Sequence, residues 1–251
     1  MKSNNIEFTG ALGDNLSARL DRAEGDEIGF ALFAHCFTCS KNLKAVGHIT
    51  KSLADRGIST LRFDFTGLGQ SDGEFANTNF SSNVQDLVAA ADYMETNLEA
   101  PALLVGHSLG GAAVLHAAHN LDSVKAVATI GAPSDPTHVK ENFSLKLDEI
   151  EETGEADVTL AGRSFRIKKQ FLDDLEEAGR KDKISTLNRA LLIMHAPLDS
   201  TVNIDNAATL YARAKHPKSF VSLYQSDHLL TDPVFSKYAG KLIAQWSEIY
   251  I

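Results

Sequence analysis

Gly106-His107-Ser108-Leu109-Gly110-Gly111 decides the reading of this chain. It follows the apolar run 102–106 and opens a stretch rich in Ala and Leu, 109–120. A G-x-S-x-G between a strand and a helix is a tight turn that holds its serine in strained φ/ψ. Gly106 and Gly110 keep Cβ atoms away from that turn. The Ser108 hydroxyl then stands at the top of a sheet, and the Leu109 N–H at the helix start faces the place where an oxyanion would form.

Working outward, the other apolar runs are 28–34, 60–65, 125–130, 190–195 and 219–224. Each has strand length and reads as a parallel strand buried on both faces. Helical patterns lie between them at 43–55, 82–98, 109–120, 206–214 and 234–249, the second with Val84, Leu87, Val88, Ala91 and Met94 on one face. The alternation predicts an α/β domain, its mostly parallel sheet covered by helices on both faces. Residues 6–8 and 16–20 read as an antiparallel hairpin at the sheet edge.

One segment breaks the alternation. In 133–188, 22 of 56 residues are charged, against 35 of the other 195. We read it as a small inserted cap of helix, β-hairpin and helix on a core made of 1–132 and 189–251. Val158, Leu160, Phe165 and Ile167 alternate around Ala161-Gly162, a hairpin signal. Helical patterns flank it at 139–150 and 169–178. The segment follows a core strand's C-terminal end, where α/β sheets bind ligands.

Composition narrows the function. The 251 residues carry a net charge of −9, which excludes the basic footprint of a nucleic-acid binder. Mean hydropathy is −0.14, and no apolar run reaches membrane-spanning length. The first residues, M-K-S-N-N, have no apolar leader core, and two cysteines do not make a disulfide scaffold. The expected location is cytoplasmic. No His and carboxylate trio has zinc-ligand spacing, so neither metal nor cofactor is expected.

The elbow, its context and two later segments resemble the α/β-hydrolase family. That family orders its residues Ser, acid, His along the chain. H-A-P-L-D-S-T-V places Asp199 where the family's acid stands, and Q-S-D-H-L-L places His228 where its histidine stands. The resemblance implies Ser108 as nucleophile, His228 as general base and Asp199 as its orienting acid. Asp227 adjoins His228 and is poorly placed to reach the ring. Asp205 lies near a helix start, an ordinary place for an acid. The loop His35-Cys36-Phe37-Thr38-Cys39 resembles the family's H-G-F element, with Cys36 where glycine is usual. It implies the Phe37 N–H as second oxyanion donor beside that of Leu109. Cys36 and Cys39 read as small buried side chains rather than a redox or metal pair. F-D-F-T-G-L-G-Q-S-D-G matches a structural loop of the family, in which Asp64 holds backbone N–H groups. His35, His107 and His195 read as neighbours of the site, and His116 and His119 as scaffold.

Longer strings, among them H-C-F-T-C-S-K, L-R-F-D-F-T-G-L-G and G-H-S-L-G-G-A-A-V-L, resemble the hydrolase half of bacterial proteins that fuse an α/β hydrolase to an OsmC-type domain. The family implies an ester or acyl hydrolase without a cofactor, acting on a small-molecule ester. A homodimer and an OsmC-type partner are both compatible with it. The H-C-F loop and the inserted hairpin also resemble esterases that act on cinnamoyl esters. The expected activity is a serine carboxylesterase on short-to-medium acyl or aryl esters. A thioesterase, amidase or C–C hydrolase with the same triad is the alternative, and a docking module beside an OsmC-type partner is the non-enzyme one.

Overall fold

The computed structural model describes residues 1–160 and 162–251. Its main sheet has eight strands, with the apolar runs found in sequence at its centre. They are β1 (Lys2–Thr9), β2 (Asn15–Arg22), β3 (Gly29–Ala34), β4 (Ile58–Phe63), β5 (Leu103–His107), β6 (Ala126–Ile130), β9 (Ala190–His195) and β10 (Lys218–Ser222), in the order β1-β2-β4-β3-β5-β6-β9-β10. β1 and β2 form the expected edge hairpin, longer than its apolar residues suggested, and β2 runs antiparallel to β4. All pairs from β4 to β10 are parallel.

Side chains alternate across the sheet because successive Cβ atoms point to opposite faces. Phe30, Leu32 and Ala34 of β3 join one core cluster, Ala31 and Phe33 the other. The first face is covered by α2 (Phe80–Asn97) and α3 (Leu109–Ala117), the second by α1 (Lys44–Ala54) and α7 (Pro233–Ser247). β10 departs from the expectation of burial on both faces. It is the far edge strand, and Phe220 is 43% exposed.

Within 133–188 lies a second, two-stranded sheet. The expected first helix is broken. Pro136–Lys146 is a 3₁₀ stretch kinked at Phe143, and only Leu147–Thr153 is α-helical (α4). Pro136 and the three-residue hydrogen bonds tighten that stretch, so the apolar spacing did not report a regular helix. Then come β7 (Glu155–Leu160), β8 (Arg163–Lys168) and α5 (Lys169–Gly179). β7 pairs with β8 from Glu155↔Lys168 to Leu160↔Arg163. Of the expected turn residues, Gly162 has φ +76°, as such turns require, and Ala161 lies outside the described residues.

Aromatic contacts fasten this segment beside the Phe37 loop. Phe37 packs 5.7 Å from Phe171 of α5, and Phe75 packs 4.9 Å from Phe165 of β8. The start of α2 is tied to α5 as well, the Ser81 N–H donating to Asp174 and the Gln170 amide to the Thr78 carbonyl. α6 (Asp205–Arg213) lies between β9 and β10 in sequence. Among the described residues no helix is long and apolar enough to cross a membrane.

Candidate active site

Ser108 sits between β5 and α3 with φ +56° and ψ −127°. This is a costly conformation for a side chain with a Cβ, and the packing beneath enforces it. A Cβ on Gly106 would fall 2.6 Å from Gly111 Cα, and one on Gly110 2.6 Å from the Ala34 carbonyl oxygen. Larger residues at either position would push the strand and helix apart.

His228 follows β10, and Asp199 follows β9. The ends of two separate parallel strands therefore bring them to the serine. The Ser108 Oγ lies 3.0 Å from His228 Nε2, within donating distance. His228 Nδ1 donates to Asp199 Oδ2 at 2.7 Å. The other Asp199 oxygen accepts from the N–H groups of Thr201 and Val202 at 2.8 and 2.9 Å. Burial works to raise this carboxyl's pKa, but His228 and the two N–H groups outweigh it and hold it below the ordinary value. The rival acids are engaged elsewhere. Asp227 accepts from the Thr231 N–H at 2.8 Å, and Asp205 begins α6.

Phe37 and Leu109 carry the remaining feature of the site. Leu109 is the first residue of α3, where N–H groups have no acceptor within the helix. Among the described residues the Phe37 and Leu109 N–H groups donate to no backbone carbonyl. Phe37, Ser108 and His228 line one cavity of about 480 Å³ together with Leu43, Asn142, Leu160, Arg163, Thr201 and Leu229. The arrangement sets a serine hydroxyl, an imidazole and a carboxylate in one hydrogen-bonded line at the wall of this cavity, next to the Phe37 loop.

These positions have close relatives among known proteins. The esterase domain of a Rhodothermus marinus protein is 47% identical, with 100% of this chain and 99% of that one covered and a TM-score of 0.81. The chain belongs to the α/β-hydrolase family. It is a serine hydrolase. The family model Hydrolase_4, described as serine aminopeptidase, S33, matches residues 39–140. Mouse palmitoyl-protein thioesterase ABHD10, mitochondrial, is 30% identical over 198 residues, 75% of this chain. The chain spans 64% of that relative's length. Ferulic acid-bound Est1E from Butyrivibrio proteoclasticus has a TM-score of 0.79 over 97% of this chain and 99% of its own. At 21% identity it is a likeness of fold alone.

Around the hydrolase site, buried histidines act as neutral hydrogen-bond donors. His107 Nε2 donates to the His228 carbonyl at 2.7 Å and so holds the backbone of the base. His195 Nε2 donates to the Val202 carbonyl at 2.8 Å, closing the loop around Asp199. His35 Nδ1 donates to the Cys36 carbonyl at 2.8 Å. Burial lowers all three pKa values, that of His107 to about 3, and that of His116 on α3 to about 4. His119 donates to the Lys183 carbonyl.

These shifts set a pH dependence of stability. The unfolded chain binds protons at these rings below pH 6.5, while the folded chain refuses them at His107 down to about pH 3. Acidification from pH 6.5 therefore favours unfolding. The slope is at most about 1.4 kcal/mol per pH unit for each fully buried ring. The urea midpoint is expected to fall between about pH 7 and pH 5. A midpoint that rises on acidification would mean that these rings gain protons in the fold.

Two findings correct or extend the sequence reading. Cys36 and Cys39 are not free side chains; they are joined in a disulfide that closes the Phe37 loop. The loop returns at Thr38, φ +60°, and the Cys39 N–H bonds the Cys36 carbonyl at 3.0 Å, which brings the two cysteines together. Lys41 was not anticipated. Its ammonium is buried against Asp64 at 2.6 Å, with Ser17 and Gln70 at 3.0 Å. Asp64 also accepts the N–H groups of Lys41 and Gln70. Arg62, paired with buried Asp21 at 2.7 Å, donates to the Lys41 carbonyl. Apart from the Gln70 N–H, six residues past Asp64, these partners are 21 to 41 residues apart, so no local sequence signal announces them.

Proposed function

We propose that this hydrolase cleaves short-to-medium acyl or aryl esters through an acyl-enzyme on Ser108. The observation that carries the reading is the hydrogen-bonded line from Ser108 Oγ through His228 to Asp199 at the wall of the large cavity. In this reading Ser108 Oγ bonds to the ester carbonyl carbon as its proton passes to His228 Nε2. The N–H groups of Phe37 and Leu109 receive the oxyanion. Collapse of the tetrahedral intermediate breaks the C–O bond, and the alcohol leaves with the proton from His228. Water then repeats the sequence and frees the acid. Asp199 keeps the ring in the tautomer that can accept from Ser108.

Residues 133–188 serve as the cap over this cavity in the same proposal, with 1–132 and 189–251 as the core. Asn142, Leu160 and Arg163 from that segment line the cavity, which supports the role. A thioesterase is the second reading, favoured by the 30% identity to the mouse thioesterase. The likeness to the hydrolase half of OsmC-type fusions and a cytoplasmic location are likewise proposals, resting on sequence strings and composition.

A fluorophosphonate probe is expected to label the wild-type protein once, at Ser108. Matched p-nitrophenyl esters, thioesters and anilides then rank the chemistries, with oxygen esters expected to turn over fastest. A folded protein that neither takes the probe nor hydrolyses any ester would point to a docking module instead. Faster turnover of thioesters would favour the second reading.

A further inference from the structure

The cavity beside Ser108 has one permanently charged side chain among its described lining residues, Arg163, and no aspartate or glutamate. The rest of its wall mixes apolar Phe37, Leu43, Leu160 and Leu229 with neutral polar groups such as Asn142 and Thr201. The arginine opens β8 directly opposite Leu160, and both residues of this cross-strand pair line the cavity. Of the eight other basic residues in 133–188, Lys168, Arg180 and Lys183 have no carboxylate partner among the described residues and do not line this cavity; the other five are neutralised. Lys140, Lys146, Arg166, Lys169 and Lys181 each pair with a carboxylate. Among the described residues Arg163 has no such partner. One of its nitrogens donates to the Thr38 carbonyl of the oxyanion loop, and its guanidinium stacks 5.2 Å over the Phe165 ring. The residue is otherwise exposed, and its remaining nitrogens have no protein partner among the described residues. In a chain of net charge −9, this cation is no part of a general basic surface.

We infer that Arg163 is a specificity-determining residue, and that the favoured substrates are esters bearing a carboxylate on the acyl or alcohol half remote from the scissile carbonyl. The inference rests on the serine esterase reading. A planar guanidinium held by one contact still presents donors in the fork geometry that suits a carboxylate. The apolar part of the cavity wall strengthens that attraction relative to open water, and the exposure of Arg163 keeps the gain modest and sensitive to salt. The bond to Thr38 keeps the charge next to the loop that carries the Phe37 N–H.

The test compares kcat/KM for charged and neutral partners of the same shape. One pair is p-acetoxybenzoate and p-acetoxybenzamide. The other is the mono-p-nitrophenyl ester of adipic acid and its terminal amide. The wild-type ratio of charged to neutral substrate is expected to fall about tenfold in Arg163→Gln for at least one pair, and further in Arg163→Glu. Arg163→Lys keeps most of it. Raising salt to about 0.5 M NaCl lowers the ratio in wild type and leaves it flat in Arg163→Gln. A residue that only braces the oxyanion loop would slow both members of a pair equally. Ratios that agree within about twofold between wild type and Arg163→Gln in both pairs would overturn the inference. If the variants do not fold, a salt-independent ratio in wild type overturns it alone. Wild-type protein that cleaves none of the four compounds overturns the esterase reading itself.

Discussion

In Ser108→Ala, hydrolysis of p-nitrophenyl acetate, butyrate and octanoate is expected to fall by about 10⁴- to 10⁶-fold in kcat, with KM little changed. The size follows from what remains. His228 and Asp199 keep their hydrogen bond, and the proposed oxyanion donors of Phe37 and Leu109 are untouched, so binding survives while the attacking oxygen is gone. Stability should barely move, because alanine retains the Cβ that makes φ +56° costly at this turn. Ser108→Gly separates the two roles of the position. It should be as inactive as the alanine variant, yet more stable by up to about 1 kcal/mol, since glycine adopts the turn without strain. Activity that survived in Ser108→Ala would assign the nucleophile elsewhere. Equal stability of the two variants would mean that the turn is not strained.

Asp64→Ala is expected to cost about 3–5 kcal/mol of folding stability, read as a fall in the urea midpoint. The carboxylate is fully buried and accepts from the Lys41 ammonium and from the N–H groups of Lys41 and Gln70. Its removal strands a positive charge that is itself 2% exposed. Lys41 lies two residues past Cys39, so the same change loosens the end of the oxyanion loop and should lower kcat as well as stability. The double variant Asp64→Ala, Lys41→Met discriminates the cause. With the unpaired charge gone, it should be more stable than Asp64→Ala alone. A double variant no better than the single one would place the cost in the two lost N–H bonds.

How far the sequence carried these conclusions differs from residue to residue. The elbow was legible because strand, turn and helix are contiguous and the constraint on Gly106, Ser108 and Gly110 is local. Asp199 and His228 were legible through the family resemblance of the segments after two late strands, though the line of two hydrogen bonds from Asp199 through His228 to Ser108 is a product of strand order. The kink at Phe143 was not legible. Apolar spacing reports which face is buried and is nearly blind to the choice between α and 3₁₀ turns. The Cys36–Cys39 bond was missed because a C-x-x-C is read through its compartment and company, while the left-handed turn at Thr38 that joins the sulfurs is a matter of conformation.

By itself, then, the order of residues determined the alternation of strands and helices, the strained serine turn, and the identity of the acid and base candidates. The first two depend on period and on glycine, which are properties of short segments, whereas the acid and base candidates follow from the resemblance to the α/β-hydrolase family. The tertiary structure alone decided that Lys41 and Asp64 neutralise each other in the interior, that Phe171 packs on Phe37 and Phe165 on Phe75, and that Arg163 reaches the cavity without an acidic partner among the described residues. Each of these joins residues from distant parts of the chain. Burial, charge pairing and side-chain direction become defined only when the sheet has brought those parts together.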